Sequence, residues 1–399
     1  MQFIEPTSDR LPRQLAQDFA ARYGCQVSEV RLIRSPYRLC PIGAHIDHQL
    51  GTVSAIAVDK GIHLAFAPNT DHVLRISSRG YPGLIEINLE HFERMGDWAD
   101  YARGALMAIG DGYTAKQGVS MLIDGYLSEA GISSSAAVGL GYLLALSISN
   151  GIELDDAALI ELDRVIENDF IGLKNGILDQ SAITLARKRQ LTVIDCKQHS
   201  FTHFAQVQPF TFLAVYSGVK EPLVQSNKFN NRVDECFDAG SALARLTGRK
   251  INSRVPLGAS LYDEWQAYQS DLAPLHQRRA RHFFTESKRV LESALAWKQS
   301  DHAAYGALMD KSCQSSIMDY ETGSPEMIAL YECLTNTDGV YGARFSGAGF
   351  RGCAVALINP AATTDIIESV SIRYRKRFPH LGKKMWAFTS QASQGLGLI

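Results

Sequence analysis

The segment that most constrains the fold is Gly125–Gly141, which reads GYLSEAGISSSAAVGLG and joins a strand-like run to a long apolar helix. The strand-like run is Gly118–Tyr126, and the helix is predicted from about Ser134 to Ile148. Gly131 lies in the loop between them, where it permits a tight or left-handed backbone. The segment therefore predicts a strand, a small-residue loop and a long apolar helix in that order.

The start of that helix is suited to phosphate. It offers unpaired N–H groups, the positive end of a helix dipole and several serine hydroxyls, which together suit a polyphosphate and its magnesium ion. An ordinary serine-capped helix after a loop explains the same residues when they are taken alone.

Short β-branched runs bounded by turn residues, among them Thr52–Val58 and Ile62–Pro68, are predicted as strands in the first third of the chain, and helical stretches with a second set of strands follow from about Phe210. Interleaved strands and helices predict an α+β chain of two lobes. We place the boundary near residue 205, which divides the chain into residues 1–205 and residues 206–399.

Composition excludes several classes of protein. The net charge of −2 over 399 residues, without a long basic run, argues against a nucleic-acid partner. Seven widely spaced cysteines without a C-x-x-C pair argue against a disulfide framework or a structural zinc site. No signal-peptide core and no stretch of about 20 apolar residues is present, so we expect a reduced, cytoplasmic protein without a membrane partner.

A second polar segment, predicted as a loop after a strand, is Ser35–Gly51, SPYRLCPIGAHIDHQLG, which places Arg38, His45, Asp47 and His48 between a proline and a glycine. Carboxylates that accept from paired hydroxyls, beside Arg and His donors, suit a polyhydroxylated ligand. A solvated turn is the alternative. A metal hydrolase finds little support, because no H-E-x-x-H or comparable ligand set accompanies the histidines.

Two further segments carry glycines and acids. Ile166–Ser181, IENDFIGLKNGILDQS, contains Glu167 and Asp179, and phosphoryl transfer to a hydroxyl needs one carboxylate near the acceptor and another near Mg²⁺. Gly342–Cys353, GARFSGAGFRGC, permits a close approach of backbone to phosphate. Surface acids and a plain glycine hairpin are the alternatives.

All four segments, in this order, resemble the GHMP kinase superfamily and specifically its galactokinase branch. The stretches DWADYARG, RRARHFFTESKRV and DYETGSPEM are similar to that branch as well, so the resemblance covers nearly the whole chain. It implies a two-lobed α+β fold, with an N-terminal lobe like ribosomal protein S5 domain 2 and a ferredoxin-like C-terminal lobe. The active site would lie in the cleft between them, with ATP and Mg²⁺ as cofactors.

The resemblance also implies roles for single residues. Asp179 corresponds to the general base, or at least the charge partner, for the anomeric hydroxyl of a sugar, and Arg38 would lie beside it. Asp47 would bind secondary hydroxyls, with His45 near C6 and Gly176 nearby. The Mg²⁺ ligands would be Glu167 with Ser134 or Ser135, between which the sequence does not decide. The remaining nucleotide contacts would be Gly131, Ser133, Ser134, Ser135, Ala136 and Gly347 at the phosphates and Trp98 and Tyr101 at the adenine.

Two positions depart from the galactokinase pattern. Galactokinases have Glu directly before the motif histidine, where it accepts the C6 hydroxyl, and here the residue is Ala44. Such a Glu would repel a C6 carboxylate by about 4 kcal/mol at ~4 Å in an effective dielectric near 20. Phe229 stands where galactokinases have a Tyr that faces the sugar.

With Ala44 the chain looks closest to galacturonokinases, which carry the same Ala. The expected reaction is therefore phosphorylation of D-galacturonate at C1. Galactokinase activity, with glucuronate as a side substrate, and a catalytically silent sugar sensor are the alternatives. The sequence leaves monomer and dimer open.

Overall fold

A computed structural model describes residues 1–4, 10–125, 131–220 and 227–399. The strands are β1 (Gln2–Phe3), β2 (Arg31–Ile42), β3 (Thr52–Asn69), β4 (Val73–Ser78), β5 (Leu84–Asn88), β6 (Gly118–Asp124), β7 (Gln190–Asp195), β8 (Ser200–Ala205), β9 (Thr211–Tyr216), β10 (Val340–Phe345), β11 (Cys353–Ile358), β12 (Trp386–Ser390) and β13 (Gly397–Leu398). The helices are α1 (Arg10–Tyr23), α2 (Asp100–Gly110), α3 (Ser134–Asn150), α4 (Asp156–Val165), α5 (Leu178–Leu185), α6 (Lys228–Leu246), α7 (Tyr262–Tyr268), α8 (Pro274–Gln299), α9 (His302–Met318), α10 (Pro325–Thr335), α11 (Thr363–Arg377) and α12 (Pro379–Gly382).

The strands form two mixed sheets. The larger has the order β13-β2-β3-β6-β4-β5, with β7 paired to β3 and β8 paired to β7. The smaller has the order β1-β12-β9-β11-β10. The prediction of an α+β architecture is confirmed.

The two ends of the chain cross over between the sheets. Strand β1 pairs with β12 in the smaller sheet, although the following residues build the larger one. Strand β13 pairs with β2 in the larger sheet, although the preceding strand lies in the smaller one. The division near residue 205 stays a prediction, and these terminal strands connect the parts on either side of it.

Helix α3 is buried on all sides, because other helices and strands pack around it. It packs against β2, β3, α2 and α4, and Leu140, Leu143 and Leu146 are fully buried. The helix ends at Gly151, whose φ of 63° gives the left-handed C-terminal cap that glycine favours. Its N-terminus is thereby fixed next to the loops that carry the polar motifs.

Two predicted elements differ from the structure. The polar segment Ser35–Gly51 is predicted to lie in a loop after a strand, but β2 continues through Ile42 and carries Arg38 on a strand. The two predicted strands Thr52–Val58 and Ile62–Pro68 are one strand, β3, because Gly61 packs tightly against the backbone of Ser35 and Pro36 and lets β3 continue. Among the helices of the described ranges, none is both long and apolar enough to cross a lipid bilayer.

Candidate active site

Arg38 connects three distant segments at the centre of the site. Its Nε donates to Oδ1 of Asp179 at 2.6 Å and its Nη2 donates to Oδ2 at 2.9 Å, so the pair is bidentate. Its Nη1 donates to the carbonyl oxygens of Gly131 and Ser346 at 3.2 and 3.1 Å. Arg38, which is only 5% exposed, therefore aligns the serine-rich loop, the glycine-rich loop after β10 and the start of α5.

The serines at the start of α3 are not used as an ordinary helix cap. Ser133 precedes the helix with a left-handed φ of 59°, and its side chain makes no capping hydrogen bond. Its hydroxyl donates instead to Oδ2 of Asp179. Ser133 therefore does not cap the helix, and Ser133, Ser134 and Ser135 line a cavity at the start of α3, a position that suits an anionic ligand.

Asp47 and Gly176 meet across the same cavity. A Cβ at position 176 would lie 2.5 Å from the backbone of Asp47, so only glycine permits this approach. The Asp47 carboxylate accepts from the N–H of Leu178 at 3.4 Å. Burial and the charge of Asp179 raise the pKa of Asp47 to about 6. The two acids thus face one small space from opposite segments.

The wall at Ala44 is formed by rings. His45 follows it in the left-handed conformation, with φ of 68°, and stacks on Tyr320 at a centroid distance of 4.4 Å. Tyr320 shares a hydrogen bond with His48, and His48 packs edge-on against Phe229. Burial and the neighbouring charges of His282 and Arg344 hold the pKa of His45 well below its usual range. This wall is therefore uncharged at neutral pH.

Glu167 lies behind the serine loop and is fully buried. The Ser135 hydroxyl hydrogen-bonds to Glu167 and to Tyr101, and Asn175 donates to Oε2 of the same carboxyl. Within the described ranges, Oε1 of Glu167 has no hydrogen-bond partner. Burial and the charge of Asp179 raise the pKa of Glu167 to about 7. A buried oxygen in this position is poised to accept a cation or a donor.

Most of these groups line two adjoining cavities. The smaller cavity, of about 120 Å³, contains most of the predicted substrate and phosphate residues, and the larger, of about 450 Å³, contains the two aromatic residues predicted at the adenine. The predicted residues in the smaller cavity are Arg38, Ala44, His45, Asp47, Gly131, Ser133, Ser134, Ser135, Gly176, Asp179, Phe229 and Gly347. Those in the larger cavity are Trp98, Tyr101, Ser134 and Ser135. The cavities therefore meet at the serines.

The larger cavity has a flat aromatic wall. Trp98 stacks on Tyr81 with centroids 5.4 Å apart and planes within 9°. Asp97, which precedes Trp98, is held by Arg103 and by the N–H of Ala99, so the start of α2 is fixed by local contacts. A flat aromatic wall of this kind suits a planar heterocycle.

Two predicted residues do not line either cavity. Ala136 is fully buried inside the first turn of α3, and Glu167 reaches the site only through Ser135 and Asn175. Several lining residues were missed by sequence reasoning, namely Tyr81, Asn175 and Arg351. Asn175 and Arg351 lie inside the quoted motifs and could have been included, whereas Tyr81 carries no sequence signal. Residues 126–130 of the serine-rich segment lie outside the described ranges.

Comparison with known proteins agrees with this geometry. The family models for the GHMP kinases N terminal domain, the GHMP kinases C terminal domain and the galactokinase galactose-binding signature match residues 100–187, 290–376 and 17–68. A galacturonokinase of Arabidopsis thaliana is 36% identical over 95% of this chain and 95% of its own length. A galactokinase of Lacticaseibacillus casei is 30% identical over 91% and 94%.

Among solved structures, Lactococcus lactis galactokinase complexed with galactose superposes with a TM-score of 0.88 at 26% identity, covering 97% of this chain and 99% of that one. Sequence and structure comparisons thus agree over nearly the full length. The chain belongs to the GHMP kinases, in their galactokinase branch, and is a sugar kinase.

Proposed function

We propose that the chain transfers the γ-phosphoryl group of ATP to the C1 hydroxyl of D-galacturonate, giving α-D-galacturonate 1-phosphate and ADP. The observation that carries the proposal is the composition of the smaller cavity: Asp179, Arg38 and Asp47 face it, and the residue at position 44 is alanine. The similarity to the Arabidopsis galacturonokinase supports the choice of substrate.

In this proposal Asp179 is the residue that activates the sugar hydroxyl that accepts the phosphoryl group. Its carboxylate accepts the hydrogen of the C1 hydroxyl, as general base or as charge partner, and the bidentate Arg38 keeps it in one orientation. The hydroxyl oxygen attacks the γ-phosphorus, and the bond from that phosphorus to the β,γ-bridging oxygen breaks as ADP leaves. Catalysis then comes mainly from positioning and from stabilisation of charge.

The residues behind the serines fit a magnesium ion. Glu167 Oε1, buried without a partner among the described residues, and the serine hydroxyls are hard oxygen ligands of the kind that Mg²⁺ prefers. The described residues contain no group of three or more His, Cys, Asp or Glu side chains that could hold a metal. Ser134 or Ser135 with Glu167 would therefore hold the ion together with phosphate oxygens, and the ion would neutralise charge on the phosphates.

The substrate preference follows from charge. A carboxylate at C6 would meet the methyl group of Ala44 and the uncharged His45 rather than an acid. A glutamate there would repel it by about 4 kcal/mol at ~4 Å with an effective dielectric near 20. Removing the acid also creates the room that a second C6 oxygen needs.

Galactokinase activity is the second candidate. It is favoured by the match to the galactose-binding signature and by the superposition on the galactose complex. A silent sugar sensor is disfavoured, because Arg38 and Asp179 are present and in contact.

The test is ADP release by the purified protein with galacturonate, galactose and glucuronate at equal concentrations. We expect galacturonate to give the highest kcat/KM. Turnover of galactose alone would favour the second candidate, and binding of sugar and ATP without ADP formation would favour the sensor.

A further inference from the structure

The loop at Ala44 is held from behind by α8. His282 Nε2 lies 3.1 Å from the carbonyl oxygen of Ala44, and since that oxygen can only accept, Nε2 carries the proton. One turn further along the helix, Glu286 accepts from the N–H of Gly43 at 2.7 Å. Gly43 has φ of 104° and a Cβ there would lie 2.8 Å from Val290, so the loop is pressed onto the helix.

This anchoring fixes the direction of the peptide between Ala44 and His45. The described residues contain no cis peptide bond, and in a trans peptide the N–H points opposite to the carbonyl oxygen. The carbonyl oxygen points to α8, so the N–H of His45 points away from it. His282 and Glu286 do not line the smaller cavity, whereas Ala44 and His45 do.

The His45 N–H donates to none of the other residues in the described ranges. His45 is left-handed, with φ of 68°, and Ile46 follows with φ of −128° and ψ of −9°. Turns that combine these regions direct successive N–H groups to one concave side, where they bind anions. The N–H groups of His45 and Ile46 therefore form a small main-chain site at the wall beside Ala44.

The charge behind the loop has the sign that an anion requires. Glu286 is fully buried and meets two guanidinium groups, Arg289 at 2.7 Å and Arg344 at 3.2 Å. Two cations against one carboxylate leave a net positive charge beneath the loop. Because these groups are largely removed from water, their field is weakly screened.

We propose that the backbone N–H groups at His45 and Ile46 bind the carboxylate of the acid sugar, and that His282 and Glu286 are positioning residues for this site. The inference rests on the proposed function, which it deepens by naming the group that recognises the acid. The site uses main-chain donors, so the only side-chain requirement at position 44 is a small, uncharged residue. Without the hydrogen bond from His282, the peptide between Ala44 and His45 could rotate. Its carbonyl oxygen would then point towards the substrate and repel the carboxylate.

The test compares three proteins: the wild type, His282→Phe, which removes the donor to Ala44, and His282→Gln, whose amide restores a donor. We expect His282→Phe to lower the ratio of kcat/KM for galacturonate to that for galactose by about tenfold, the range lost when a hydrogen bond to a charged group is removed. His282→Gln should recover most of that ratio, and the KM for ATP should stay within about twofold in both variants.

A measurement without turnover accompanies it, and it does not depend on the folding of the His282 variants. Protein labelled with ¹⁵N-histidine is titrated with galacturonate and with galactose, and the His45 amide signal is assigned by its loss in His45→Gln. We expect a downfield amide shift with galacturonate that galactose does not give. Equal shifts with both sugars, or an unchanged sugar ratio in folded His282→Phe, would overturn the inference while galacturonate turnover persists. A wild type that neither binds nor turns over galacturonate would overturn the proposed function and this inference together.

Discussion

The two cavities are built in different ways. The smaller cavity is defined by contacts between residues far apart in the chain: Arg38 reaches Asp179 across 141 positions and Ser346 across 308. The larger cavity takes its aromatic wall from Tyr81 and Trp98, and Asp97 is held by Arg103 only six positions away. The smaller cavity is fixed by charged contacts between distant segments, whereas the aromatic wall of the larger cavity comes from one stretch of chain, residues 81–98.

This difference indicates that the two cavities control different steps, namely phosphoryl transfer and nucleotide binding. Arg38 and Asp179, the charged pair of the smaller cavity, are each held by two or more hydrogen bonds, so they can fix the positions of the sugar hydroxyl and of the phosphoryl group. The smaller cavity should therefore control the rate of transfer and the choice of sugar. Apolar and stacked walls tolerate small shifts, so the larger cavity should control nucleotide affinity. Variants in the two cavities should therefore have separable kinetic effects.

The largest effect is expected for Asp179→Asn. It removes the charge that faces the acceptor hydroxyl and leaves Arg38 without its carboxylate, so kcat should fall roughly a thousandfold to ten-thousandfold. Steady-state ADP release measures it, with the exposed Asp169→Asn as the matched control. Full activity in Asp179→Asn would remove Asp179 from the proposed mechanism.

Ala44→Glu comes next, and it alters the choice of sugar. A carboxylate at position 44 should lower kcat/KM for galacturonate by up to about a thousandfold, equivalent to about 4 kcal/mol at ~4 Å. Galactose should be much less affected. Ala44→Gln adds nearly the same volume without charge, so a similar loss in both variants would point to size instead of charge.

Glu167→Gln should raise the Mg²⁺ concentration for half-maximal activity by about a hundredfold. The exposed Glu161→Gln should leave it unchanged. A metal binds only the ionised carboxylate, and the pKa of Glu167 is raised to about 7, so wild-type kcat/KM for ATP should fall as pH drops below about 7. More Mg²⁺ should move this fall to lower pH. A pH profile independent of Mg²⁺ would contradict a ligand role for Glu167.

The smallest effect is expected for Trp98→Ala, which removes one ring of the stacked wall. The KM for ATP should rise about tenfold, within the range measured when a stacking partner of a base is removed. The KM for the sugar should not change, and Trp98→Phe should fall between wild type and Trp98→Ala. A change in sugar KM equal to that for ATP would break the separation between the two cavities.

The sequence was sufficient to locate those segments of the smaller cavity that are contiguous motifs. The loop before α3, the NGILDQS segment and the glycine-rich turn after β10 could each be identified, and their residues line the smaller cavity. The contact between Arg38 and Asp179 was expected from the family resemblance and is present. The proposed roles of these residues stay predictions.

The features that were missed arise from tertiary packing. Tyr81 joins Trp98 only because the segment between β4 and β5 lies beside α2. The continuation of β2 through Ile42 was missed because its polar residues are those of a loop, although they are buried by the rest of the fold. Likewise, nothing in RRARHFFTESKRV indicates that His282 and Glu286 hold the backbone at Gly43 and Ala44.

The crossing of the terminal strands has a consequence for how this protein acquires its structure during synthesis. Strand β13 pairs with β2 through Gly397 and Leu398, so the larger sheet lacks this edge strand until residues 397 and 398 have been synthesised. Strand β1 in turn waits for β12. A partly synthesised chain should therefore expose unpaired strand edges and depend on chaperones.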